Sequence, residues 1–150
     1  MDRVFKPMPT AEAWQVSNAP VFSMAVHRVA LEQFDRAGID RLRQKSEKLT
    51  GYLEFMIEEV ARETGDRLEI ITPRDPDQRG CQLSVIAHGH GRKLFDGLTT
   101  KGVVADWREP NVIRMAPVPL YNSFEDVYRF GVILKECLAA DRAKITHNNP

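Results

Sequence analysis

Hydrophobic positions along the chain change their spacing part-way. Two helical stretches come first, about Val21–Ala37, ended by Gly38, and about residues 40–64, ended by Gly65. In the second, Leu42, Leu49, Leu53, Met56, Ile57 and Val60 recur at a spacing near 3.6, while Arg41, Arg43, Lys45, Lys48, Glu58 and Glu59 lie mostly off that stripe. One face therefore packs and the other is wet. Gly51 within this helix costs roughly 1 kcal/mol against alanine, which makes it a candidate for a close helix contact. Ahead of both helices, Pro7, Pro9 and Pro20 exclude a continuous helix or central strand, so residues 1–20 are expected to be an extended lead-in.

After Gly65 the pattern shortens to strand-like runs at residues 68–72 and 82–87, separated by the turn-rich PRDPDQRG. A short helix is predicted at residues 92–100, then strands at 103–106 and Val112–Met115 with a turn at Glu109, Pro110 and Asn111. The last helix is predicted to start at Ser123 as N-cap, with Asp126 closing a capping box and an apolar stripe of Val127, Phe130, Leu134, Cys137 and Leu138. Residues 144–150 are expected to be a frayed tail. The order α, α, β, β, α, β, β, α predicts an α+β domain: an open, mainly antiparallel sheet of about four strands with helices packed on one face.

Composition narrows the partners. The 150 residues are 43% hydrophobic and 28% charged, in the range of one globular domain. Twenty-one Lys and Arg balance 21 Asp and Glu, so no net field draws the chain to nucleic acid or an anionic membrane. No run approaches the roughly 18 apolar residues of a membrane span, and the first residues lack the apolar core of a signal peptide. Only Cys81 and Cys137 are present, so reduced thiols and a cytoplasmic setting are the expectation.

Candidate chemistry concentrates in two stretches. In VIRMAPVPLYN, Arg114 is the only charge from residue 112 to 124, and Pro117 and Pro119 stiffen the chain leaving it. A guanidinium among apolar neighbours needs an anion, either a carboxylate of its own chain or that of a ligand held by the arginine fork. The nearest acids in sequence are Glu109 and Glu125, and spacing leaves both readings open. In WQVSNAP, Ser17 and Asn18 offer a hydroxyl and an amide to a ligand, or they serve as turn and helix-cap residues. His88 and His90 in HGHG have no ligand-spaced partners, so they read as a solvated glycine-rich loop and no metal site is expected. Asp75 and Asp77 read as solvated loop charges.

Taken together, WQVSNAP at residues 14–20, the run LTGYLE at 49–54, IITP at 70–73, RGCQLS at 79–84 and KGVVADWREPNVIRMAPVPLYNSFEDVYRF at 101–130 closely resemble, in order and spacing, the carboxy-terminal part of kynureninase. The resemblance covers nearly the whole chain and places the small domain at residues 21–143. It implies a homodimeric, cytoplasmic pyridoxal 5'-phosphate enzyme with the aspartate-aminotransferase-like fold. The implied reaction hydrolyses kynurenine or 3-hydroxykynurenine to an anthranilate and alanine, in tryptophan catabolism towards NAD. It further implies that Arg114 binds the substrate carboxylate, with Ser17 also on the substrate side, and that Asn18 lies near the cofactor phosphate. The lysine that carries the cofactor belongs to a large domain upstream of everything matched, and Lys6, Lys45, Lys48, Lys93, Lys101, Lys135 and Lys144 fit no pattern for it. The chain alone is therefore expected to be inactive, its partners being the large domain and the substrate. A stand-alone carboxylate-binding or interaction module, and a different pyridoxal-phosphate enzyme such as an aminotransferase or cysteine lyase, are the alternatives.

Overall fold

The computed structural model of the chain describes residue 4, residues 6–15 and residues 17–147, the last five by their backbone alone. Its contacts divide the chain into two compact units, residues 1–39 and 40–150. Among the described residues the first unit holds the 3-10 turn Ala11–Trp14 and helix α1, Val21–Ala37. The lead-in is thus not extended throughout: Ala11–Trp14 sits between Pro9 and Pro20, where every residue keeps its N–H and a short turn can close. Helix α1 ends where Gly38, at φ 81°, donates its N–H to the Phe34 carbonyl at 2.8 Å.

The second unit is built on α2, Ile39–Thr64; β1, Leu68–Ile70; β2, Leu83–Ala87; α3, Gly91–Thr100; β3, Asp106–Arg108; β4, Val112–Met115; and α4, Phe124–His147. The four strands form one antiparallel sheet in the order β1-β2-β4-β3. Alternation sends Leu83, Val85, Ala87, Ile113 and Met115 into a core shared with Leu49, Leu53, Ile57 and Val60 of α2, Leu94 and Leu98 of α3, and the whole predicted stripe of α4. Each such fully buried aliphatic chain contributes roughly 1.5–3 kcal/mol of transfer free energy. The opposite face of the sheet carries Ser84, Ile86, Val112 and Arg114, all half-buried.

Three local differences from the sequence expectation have physical causes. Strand β3 begins at Asp106 rather than residue 103, because the C-terminus of α3 consumes Val103. Gly102 at φ 85° donates to the Thr99 carbonyl at 3.0 Å and Val103 to the Leu98 carbonyl at 3.0 Å, the paired bonds of a Schellman motif. The close helix contact lies not at Gly51, which has open space around it, but at Gly131 of α4, where any side chain would collide with Met56 of α2. Residues 144–147, expected to fray, continue α4 as its last turn, and residues 148–150 of that expected tail lie outside the described residues. Among the described residues no helix is long and apolar enough to cross a membrane, and Cys81 and Cys137 are free thiols.

Candidate carboxylate-binding site

Arg114 sits at the centre of a row that crosses three strands. It faces Ser84 of β2 on one side and Asp106 of β3 on the other. The β3 register follows from its middle residue: Trp107 turns to the core side and packs its ring 5.9 Å from Phe95, so Asp106 and Arg108 turn the other way. Asp106 thereby comes opposite Arg114, the arrangement in which oppositely charged cross-strand neighbours attract.

The counter-anion of Arg114 is therefore supplied first by its own chain. Arg114 Nε donates to Asp106 Oδ2 at 2.6 Å, and Nη2 donates to the same oxygen. Arg108 Nε donates to it as well, at 2.9 Å. The Arg114 hydrogen bond, with both guanidinium charges behind it, holds the Asp106 carboxyl below the usual aspartate range. The sequence reading weighed Glu109 and Glu125 and missed Asp106, because it placed that residue at the far end of a strand starting at 103. The correct register was the signal that would have found it.

Two features keep this ion pair from closing the site. Asp106 and Arg114 are 49% and 31% exposed, so solvent screens the pair and it holds the arginine only weakly. The bonds also occupy only the Nε/Nη2 edge of the guanidinium. The Nη1/Nη2 edge, the second of the two forks able to grip a carboxylate, makes no hydrogen bond among the described residues. Two guanidinium groups share one carboxylate, leaving a net single positive charge at this place on the sheet.

The segment that leaves Arg114 is held as the two prolines suggest. Lys45 Nζ of α2 donates to the carbonyls of Pro119 and Asn122, each at 2.7 Å, and Asn122 Oδ1 accepts the Val118 N–H at 2.9 Å. The capping box then starts α4: Ser123 N–H donates to Asp126 Oδ2 at 2.8 Å and Asp126 N–H to Ser123 Oγ at 3.2 Å. Just past β4 a cleft of about 530 Å³ is lined by Lys101, Met115, Pro117, Arg129 and Phe130 among others, and Arg114 does not line it.

Ser17 and Asn18 belong to the first unit, and both are exposed. Neither caps α1, whose N-cap is Pro20 with no side-chain bond. The two histidines depart from the sequence reading. His88 pairs with Glu69 at 2.7 Å, and His90, expected in a solvated loop, has a side chain only 5% exposed. Its Nδ1 lies 2.8 Å from Asp141 of α4 and its Nε2 3.2 Å from Asp66, which follows α2. This cluster ties the β2–α3 turn to two other elements, a contact between residues 24 and 51 positions apart that local pattern does not carry. Asp75, in turn, is a cap: its carboxylate accepts the Asp77 N–H at 3.0 Å in the 3-10 turn Pro76–Gln78.

Among the lysines, Lys45 is engaged with two backbone carbonyls, and Lys101 and Lys135 pair with Glu136 and Glu63 at 2.6 and 2.9 Å. Lys48 and Lys93 are exposed on helix surfaces.

Fold and site together define an α+β domain whose helices cover one sheet face and whose other face presents a cross-strand arginine with one fork open. Residues 42–134 match the kynureninase C-terminal domain. Kynureninases of Christiangramia forsetii and Flavobacterium psychrophilum are each 52% identical to the chain over 136 residues, 91% of it and 32% of either relative. That of Koribacter versatilis is 50% identical over 126 residues, 84% of the chain and 29% of that protein. The chain belongs to the kynureninase family and forms its C-terminal domain. It spans about a third of the length of the curated relatives it matches.

Proposed function

We propose that this chain is the small-domain part of an enzyme that hydrolyses kynurenine or 3-hydroxykynurenine to an anthranilate and alanine, with Arg114 gripping the substrate carboxylate. The observation that carries the reading is the open Nη1/Nη2 edge of Arg114, on a sheet face where two guanidinium groups share a single acid. A bidentate, charge-assisted grip is stronger than the half-exposed bond to a single oxygen of Asp106, so an incoming carboxylate is not outcompeted. Lys45 and the two prolines hold the segment behind the arginine, which lowers the ordering cost of that grip.

Ser17 is assigned to the substrate side and Asn18 to the cofactor phosphate. The intact enzyme is a cytoplasmic homodimer that uses pyridoxal 5'-phosphate, held by a large domain outside this chain. When bound, that group supplies an electron sink for breaking the bond between Cβ and Cγ. What this chain adds is orientation: Arg114 fixes the carboxylate end of the amino acid and so sets the direction in which the rest of it lies. By itself the chain is inactive.

In the intact enzyme, Arg114→Ala is expected to weaken use of kynurenine by about 2–4 kcal/mol in kcat/KM, mostly through KM. An unchanged KM overturns the assignment of Arg114. Turnover of kynurenine by the 150 residues alone, with pyridoxal 5'-phosphate added, overturns the statement that they are inactive.

A further inference from the structure

Resting on the reading of Arg114 as the carboxylate grip, we propose that Asp106 is a positioning residue for it, selecting which edge of the guanidinium meets the substrate. An arginine offers two forks of parallel N–H groups, Nε/Nη2 along its side and Nη1/Nη2 at its end. Asp106 Oδ2 takes the side fork from the neighbouring strand. A second carboxylate can then be gripped in bidentate fashion only end-on, in the direction the side chain points away from β4.

The placement of Asp106 is itself enforced. The Schellman closure of α3 delays β3 until Asp106, Trp107 anchors the middle of that strand against Phe95, and Arg108 donates to the oxygen that Arg114 uses. Arg108 has a second effect. With one arginine, the acid would cancel the charge that the substrate needs; with two, the cluster keeps a net positive charge and stays receptive to a single carboxylate. Asp106 thus supplies orientation and Arg108 restores the attraction that orientation would otherwise cost.

The test uses the intact enzyme, kynurenine as substrate, and two competitive inhibitors: a non-hydrolysable kynurenine analogue bearing the α-carboxylate and the same analogue as its carboxamide. The readout is the ratio of the two inhibition constants, which measures carboxylate recognition and is insensitive to general damage. Asp106→Asn is expected to reduce the preference for the acid about tenfold and Asp106→Glu to recover part of it. In an Arg114→Ala background, Asp106→Asn should change the preference less than twofold, because the residue acts through the arginine. If Arg114→Ala reduces the preference and Asp106→Asn does not, the positioning role is overturned while the carboxylate grip stands. Equal weakening of acid and carboxamide by Asp106→Asn assigns Asp106 to the fold and also overturns the proposal. If Arg114→Ala itself leaves the preference intact, the reading of Arg114 falls, and this proposal with it.

Discussion

Helices α1 and α2 are both rich in apolar residues and both stop at a glycine with positive φ, yet they fare differently. Within the first unit, α1 contains no buried residue, and Val21, Phe22, Met24, Val26, Val29 and Leu31 are exposed, Phe22 to 90%. Within the second unit, α2 buries Leu42, Ser46, Leu49, Thr50, Leu53, Ile57 and Val60, and Leu49, Leu53, Ile57 and Val60 share the core with the sheet, Leu49 at 0% exposure. Local spacing and a stop signal therefore suffice to specify where a helix lies. Most of a helix's stability comes from what its apolar face packs against, and that is a separate matter.

The sharpest way to break the comparison is Leu49→Ala, expected to destabilise the second unit by about 2–5 kcal/mol, since it empties a fully enclosed site. Chemical denaturation followed by far-UV circular dichroism measures it, and a loss below about 1 kcal/mol would mean that the core is looser than described.

A smaller effect separates the helix starts. Helix α4 opens on the Ser123–Asp126 box, whereas α1 opens on Pro20 with no side-chain cap and no acid in its first turn. Ser123→Ala should cost about 1 kcal/mol. The box is also acid-sensitive. Bonds from the backbone and hydroxyl of Ser123 hold the Asp126 carboxyl below its ordinary range. A lowered native value means that the stabilisation is fully present above the unfolded carboxyl value, roughly 4, and is lost as the pH falls through the native one. Stability measured from pH 7 down to 2 should therefore fall less steeply in Ser123→Ala than in the parent chain. Identical slopes would show that the Ser123 hydroxyl contributes nothing to the acid limb, the backbone N–H bond to Asp126 being common to both chains.

The smallest effect is expected at Phe22→Ser, which should change the stability of the chain by less than about 0.5 kcal/mol, because an exposed ring has little burial to lose. A loss above 1 kcal/mol would place that face of α1 in contact with something.

Much of the fold was legible in the sequence. Val112–Met115 and the α4 stripe stand where spacing put them, because a burial period of 3.6 or 2 is written directly into the order of residues, while Val21–Ala37 ends where Gly38 signals a stop although it buries nothing. Met56 is only half-buried while Thr50 and Ser46, outside the apolar pattern, are buried, since polar side chains carry no hydrophobic signal even where packing encloses them. The candidate site was legible to the extent of Arg114, a lone charge before two prolines. Its partner was not, because whether Asp106 faces Arg114 depends on where the preceding helix releases the chain.

The amino-acid order alone thus determined the helices and strands, the antiparallel α+β class, the family resemblance and Arg114 as a lone charge in need of an anion. Tertiary structure decided which groups share space: Asp106 and Arg108 on one oxygen beside Arg114, His90 between Asp66 and Asp141, and Met56 against Gly131. The reason is physical. Periodicity and capping act within a few residues, whereas strand register and helix packing bring together groups whose separation along the chain carries no record of their distance in space.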